Sequence, residues 1–197
     1  MKDLSTGRTA LRFAATSVLA GGLLTGAGGL LANAGASADA DLGNGVQRGT
    51  QAYTITASHG GMDLGVADAS RYAGARIAQR HPDGGADQKW LLDEVTDPYG
   101  VVLGYLLRNE NSGQCLTFDG YASDAVAQQP CDALDDHQWY RTLAEPGGGT
   151  RFTNADGDLF LDVAGDGHTE GATVDLWYDD QAPDQTFRMV TVTTSGS

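Results

Sequence analysis

Leu161-Asp162-Val163, Gly171-Ala172-Thr173-Val174-Asp175-Leu176-Trp177 and Asp184-Gln185-Thr186-Phe187 make up a phrase that this chain writes three times. The first copy runs Met62-Asp63-Leu64, Gly74-Ala75-Arg76-Ile77 and Asp87-Gln88-Lys89-Trp90. The middle copy runs Cys115-Leu116-Thr117-Phe118, Ala125-Val126 and His137-Gln138-Trp139. The closing aromatics Trp90, Trp139 and Phe187 recur about every 50 residues, a period at which a repeat decides the architecture.

Working outward, each copy opens on a short strand-like run: Tyr53-Thr54-Ile55-Thr56, Val101-Val102-Leu103 with Tyr105-Leu106-Leu107, and Arg151-Phe152-Thr153. A turn rich in Asn, Asp and Gly follows each run: His59-Gly60-Gly61, Asn109 to Gly113, and Asn154 to Gly157. Those residues tolerate the positive φ of tight hairpin turns. The mature chain lacks a sustained 3.6-residue apolar period, which predicts almost no helix. About four strands per copy, three times over, predicts an all-β fold of about twelve strands with pseudo-threefold symmetry. A sheet that closes on itself leaves no exposed edge. Trp90, Trp139 and Phe187 are then expected in the core, one from each repeat.

The first 38 residues read as a cleaved signal peptide. Lys2, Arg8 and Arg12 give a basic start, Phe13 to Leu31 is uncharged and apolar, and Ala36-Ser37-Ala38 supplies small residues for cleavage. Residues 39–49 read as a flexible lead-in, 50–192 as the folded domain and 193–197 as a tail. Export predicts a secreted protein with no membrane attachment after cleavage. It also makes the two cysteines meaningful: Cys115 and Cys131 lie in one repeat, and an oxidising compartment favours an intrachain disulfide.

The 197 residues carry 26 acidic and 12 basic side chains, a net charge of −14. Such a surface repels phosphate backbones and anionic lipid, so nucleic acid and peripheral membrane are excluded as partners. His59, His81, His137 and His168 lie outside any zinc or triad motif. Asp156-Gly157-Asp158 and Asp166-Gly167 fall short of a calcium loop and read as turns. No metal or cofactor is expected. A glycosidase would need two carboxyls at fixed separation, one with a raised pKa; a small all-β domain with exposed loops is not expected to bury them, so the chain reads as non-enzymatic.

The run Leu-x-Leu-Asp-Val, followed by Gly-Ala-x-Val-x-x-Trp and Gln-x-aromatic, resembles the ricin B-chain type lectin repeat, a carbohydrate-binding β-trefoil. The resemblance covers roughly residues 50–192. In that family a shallow sugar site can form in each repeat. A carboxylate accepts two adjacent hydroxyl protons in charge-assisted bonds, and an aromatic ring stacks on the C–H face of the pyranose. Carried onto this chain, the resemblance implies a principal site in the third repeat: Asp162 as acceptor, Trp177 as platform, Asp184 as second hydroxyl reader, Gln185 supporting the carboxylate, and Asp175 adding a contact. Asp184 stands where Asn is common.

The first repeat implies a weaker site from Asp63, Arg80, Asp87 and Gln88, with His81 adjacent. In the second, Thr117, Gln129 and His137 occupy the functional positions and leave scaffold alone. The partners implied are glycans, galactose- or xylose-type. The competing reading is a sugar-inactive trefoil that works through protein contact, as an inhibitor or surface module, because fold does not settle function.

Overall fold

The computed structural model describes residues 45–192. The expected signal peptide (1–38), the first part of the expected lead-in (39–44) and the expected tail (193–197) lie outside the described residues. Within them the chain forms thirteen strands: β1 Val46–Gln47, β2 Ala52–Ala57, β3 Asp63–Val66, β4 Ile77–Arg80, β5 Trp90–Thr96, β6 Val102–Asn109, β7 Cys115–Thr117, β8 Ala127–Gln129, β9 Tyr140–Ala144, β10 Thr150–Asn154, β11 Leu159–Val163, β12 Val174–Tyr178 and β13 Phe187–Val192. The helical segments among the described residues are short 3₁₀ turns.

Six of these strands close a barrel. β2 pairs with β5, β5 with β6, β6 with β9, β9 with β10, β10 with β13, and β13 returns to β2, every pair antiparallel. Six more form the hairpins β3–β4, β7–β8 and β11–β12, one per repeat, and β1 lies along β5. Three single bridges tie the hairpins to one another: Arg76 to Ala127, Ala78 to Thr173, and Ala125 to Asp175. Each bridge joins a different pair of repeats, so no hairpin is secured by its own repeat alone. The result is a β-trefoil, as the repeat predicts.

The turns explain why the hairpins start where they do. Asn154 Oδ1 accepts from the backbone N–H groups of Gly157, Asp158 and Leu159, and Gly157 sits at φ 83. Asn109 Oδ1 does the same for Asn111 and Ser112. Side-chain oxygen thus replaces the ladder partners that a turn forfeits.

The core holds Trp90, Tyr140 and Phe187, all essentially sealed, with Ile55, Leu64, Leu107, Leu116, Phe152, Leu161 and Leu176 around them. The middle member corrects the expectation of Trp139. Tyr140, one residue later, begins β9 and takes the core position. Trp139 is half-buried against a satellite cluster with Val95, Leu106, Cys115 and Ala133, and its indole donates to the Ala133 carbonyl at 3.1 Å. The Gln-x-aromatic spacing accounts for the shift: Gln88-x-Trp90 and Gln185-x-Phe187 match Gln138-x-Tyr140.

Cys115 and Cys131 are joined, with Cα atoms 4.9 Å apart. Closing that loop removes freedom from the unfolded chain worth about 3 kcal/mol. The end of the expected lead-in is drawn onto the sheet. Val46 and Gln47 pair with Val95 and Glu94 of β5, and the Gly49 N–H donates to Asp93 at 2.9 Å. Asp93 is fully buried and also receives Arg108 Nε at 2.7 Å.

Candidate functional site

The β11–β12 ladder places the third-repeat residues. Its register sets Leu159 against Tyr178, Phe160 against Trp177, Leu161 against Leu176, Asp162 against Asp175, and Val163 against Val174. Directly paired residues share a face, and alternation sends neighbours to the opposite one. Leu161, Val163, Val174 and Leu176 therefore line the core. Phe160, Asp162, Asp175 and Trp177 share the other face. Asp184 joins them from the 3₁₀ turn Pro183–Gln185 that precedes β13.

The burial of this group is uneven in a useful way. Trp177 is 40% exposed, whereas Asp162, Asp175 and Asp184 are only 6–7% exposed. An indole at the rim over recessed carboxyls is the arrangement a stacked sugar needs. It also departs from the expectation that trefoil loops leave carboxyls in water. One oxygen of each carboxyl, Oδ1 of Asp162, Asp175 and Asp184, is buried and has no protein partner. Unpaired buried acceptors are costly, and a ligand with donors relieves the cost.

Electrostatics follow from the crowding. The Asp162 carboxyl is pushed up to about 7, first by burial, then by the negative charges of Asp184, Asp175 and Asp180, and by a side-chain hydrogen bond with Asp184. Asp175 rises to about 6, through burial and then Asp184. Asp162 and Asp175 therefore titrate together near neutrality.

Gln185 does not support the carboxylate as expected. It is fully buried; its Nε2 donates to the Tyr178 carbonyl at 2.8 Å and its Oε1 accepts from Arg151 Nη2 at 2.6 Å. Gln88 and Gln138 do related work, donating to the carbonyls of His81 and Pro130 while accepting from the N–H groups of Asp83 and Asp132. All three hold the loop before the closing aromatic. Arg151 is a residue that sequence reasoning missed. It lies 3.8 Å over the Phe160 ring and also binds Asp179 at 2.6 Å, fixing both ends of the loop that carries Asp184. Nothing local marks it, because its partners are far along the chain.

The first repeat is built differently from its expected site. Leu64, Gly65 and Val66 pair with Gln79, Ala78 and Ile77, so Gly65 stands where Asp162 stands in the third repeat. Asp63 instead faces Arg80, in the position of Phe160. It is buried and accepts from Thr56 Oγ1 at 2.6 Å; burial foremost raises its pKa, the Thr56 bond lowers it and the Asp83 charge raises it again. Arg80 occupies the platform position, and its stem lies over Gly65, where a Cβ would meet Arg80 Cγ and Gln88 Cγ at 3.0 Å. The guanidinium is paired with Glu170 at 3.1 Å. Asp87 and Gln88 are both buried, with no carboxylate opposite Ala78. Arg80, Asp87 and Gln88 gather around Gly65 and Asp63 faces Arg80, but no carboxylate stands in the position of Asp162.

In the second repeat Thr117 pairs with Ala127 and Gln129 with Cys115, so both functional positions lack carboxylate and ring. The amide ahead of the closing aromatic is Gln138, which corrects the assignment of that position to His137; His137 takes the place of Asp184. A cavity of about 560 Å³ opens elsewhere, lined by Tyr53, Leu92, Tyr105, Thr142, Thr150 and Met189 among others. None of the buried unpartnered polar atoms found among the described residues lines it. The third repeat is the better site on chemistry.

Comparison with known proteins agrees with this geometry. The chain matches the family model described as ricin-type β-trefoil lectin domain-like over residues 41–123 and 100–177. Among solved structures it is similar to ThreeFoil, a designed protein of threefold symmetry, at 27% identity and TM-score 0.65, over 72% of this chain and 99% of that one. A ricin B-like lectin of Macrolepiota procera, solved with lactose, is 19% identical at TM-score 0.58, over 71% and 94%. An exo-β-1,3-galactanase from Clostridium thermocellum is 22% identical at TM-score 0.65, over 73% of this chain but only 30% of the enzyme. No match was found among curated proteins.

Proposed function

The chain belongs to the ricin-type β-trefoil lectin family, and we propose that it is a secreted, non-catalytic glycan-binding protein with one principal site in the third repeat. The observation that carries this reading is the exposed Trp177 indole on the same strand face as the recessed carboxyls Asp162 and Asp175, with Asp184 close enough to perturb both. A pyranose stacks on the indole and donates its hydroxyl protons to the carboxyls beneath. The lactose-bound relative supports a sugar as the ligand class.

Catalysis is not part of the reading. With one ring and one shallow face, affinity for a single sugar is about 0.1–1 mM, near −4 to −5.5 kcal/mol. Firm attachment then relies on repeated targets, since linked weak contacts multiply.

The test is retention on immobilised galactose-, xylose-, mannose- and glucosamine-based polymers. The wild type is retained on at least one, and Trp177→Ala is not. Retention unchanged by that substitution overturns the site. No retention on any polymer favours the protein-contact reading instead.

A further inference from the structure

The third-repeat pocket holds three carboxyls where one would suffice for a neutral sugar. Asp162 and Asp175 face each other across β11–β12, and Asp184 reaches in from the 3₁₀ turn to bond Asp162. Each side chain is more than nine-tenths buried, and each keeps one oxygen without a partner. No ion pair found among the described residues reaches any of the three; the nearby Arg151 is committed to Asp179, Glu145 and Gln185. The pocket therefore offers acceptors and negative charge, and none of its three corners is a side chain that only donates.

A neutral pyranose matches this poorly. Its hydroxyls can donate, but they also present oxygens that need donors, and they leave the clustered charge uncompensated. An ammonium group has the complementary inventory: three N–H donors, no acceptor and one positive charge. Three carboxyls offer acceptors for those three N–H bonds and negative charge for the cation.

Resting on the sugar-site reading above, we propose that this pocket selects a glycan bearing free amines, a de-N-acetylated hexosamine polymer, over its neutral or N-acetylated counterpart. The sugar ring stacks on Trp177 and the ammonium enters among Asp162, Asp175 and Asp184. N-acetylation replaces the ammonium with an uncharged amide that carries one donor, removing both the charge and the donor match. Trp177 also favours a cation near its face. The chain's net charge of −14 draws a polycationic polymer toward it in general, so the test must separate the pocket from that background field.

Binding also moves protons. The protons that Asp162 and Asp175 retain near neutrality must leave when the ammonium arrives. Ammonium binding and proton release are thus linked.

The experiment is calorimetric titration of the secreted chain at pH 7 with glucosamine and galactosamine oligomers and with the same oligomers fully N-acetylated. At least one amine form is expected to bind about tenfold or more tightly than its acetylated partner, as charge-assisted hydrogen bonds imply. Protons are expected to be released, seen as a heat that changes with the ionisation enthalpy of the buffer. Asp175→Asn and Asp184→Asn each bring the amine-to-acetyl affinity ratio down several-fold, with their folds checked by circular dichroism, whereas Asp156→Asn on a remote turn leaves it alone. Equal affinity for both forms, lost in Trp177→Ala, overturns the amine preference and leaves the sugar site standing. A preference that survives both pocket substitutions assigns it to the overall charge and overturns the inference. Binding of neither form removes both.

Discussion

Replacing Asp162 by Asn should make the protein more stable at alkaline pH while disabling its pocket. The Asp162 carboxyl sits at about 7 in the fold against 3.8 in the free residue. A group whose folded pKa is raised gives up stability as pH climbs between the two values: the unfolded chain releases its proton near 4, and the folded chain must keep it or bury a charge. The loss begins near pH 4 and is complete above about pH 7. At about 1.4 kcal/mol per pH unit, the upper bound for this carboxyl is about 4 kcal/mol. Water at the rim and coupled titration with Asp175 reduce that to about 2 kcal/mol. Asn has nearly the same shape, carries no charge and donates to the neighbouring carboxyls. The substitution should therefore raise the melting temperature by about 4–8 °C at pH 8 and by almost nothing at pH 4. Paired thermal melts across pH 4 to 8 measure the difference. A difference that stays flat, or is larger at pH 4 than at pH 8, refutes the reasoning about the carboxyl cluster.

Other consequences are as direct. Tyr140→Ala should cost about 3–5 kcal/mol as a core truncation, while Trp139→Ala costs much less; a denaturant series that reverses the order refutes the register of the second repeat. Joint replacement of Cys115 and Cys131 by Ser should lower stability by about 3 kcal/mol and leave glycan retention intact, because the bridge lies in a repeat without a site. Gln185→Ala, which frees the Tyr178 carbonyl and a buried guanidinium, should cost about 2–3 kcal/mol and weaken glycan binding as well. Loss of binding without loss of stability would show that Gln185 touches the sugar instead.

The fold was legible because its information is periodic. Three copies of Gln-x-aromatic, two of them preceded by Gly-Ala-x-Ile or Gly-Ala-x-Val, constrain one another, so an error in one leaves the trefoil intact. The errors were ones of register. His137-Gln138-Trp139-Tyr140 puts aromatics in two adjacent slots, and only the Gln-x-aromatic spacing selects Tyr140. Met62-Asp63-Leu64 imitates Leu-Asp-Val, but the apolar pair Leu64 and Val66 matches Leu161 and Val163 and leaves Gly65 between them. A two-residue slip keeps the face and changes the chemistry. The third-repeat carboxyls and indole were readable from their spacing. Their mutual burial was not, since it depends on Asp184 folding back onto β11. Arg151 and β1 were invisible for a related reason: each acts through partners that only the closed barrel brings near.

Trp177 can be watched on its own. The chain has three tryptophans, and the indole N–H groups of Trp90 and Trp139 are tied to the carbonyls of Leu64 and Ala133. Three indole resonances are therefore expected in a nitrogen–proton spectrum, and Trp177→Phe identifies the third. Titration with the best-retained glycan should move that resonance and leave the other two in place. Saturable binding in which Trp177 stays still, or in which the Trp90 or Trp139 signal moves alone, would contradict a sugar docked on the third repeat.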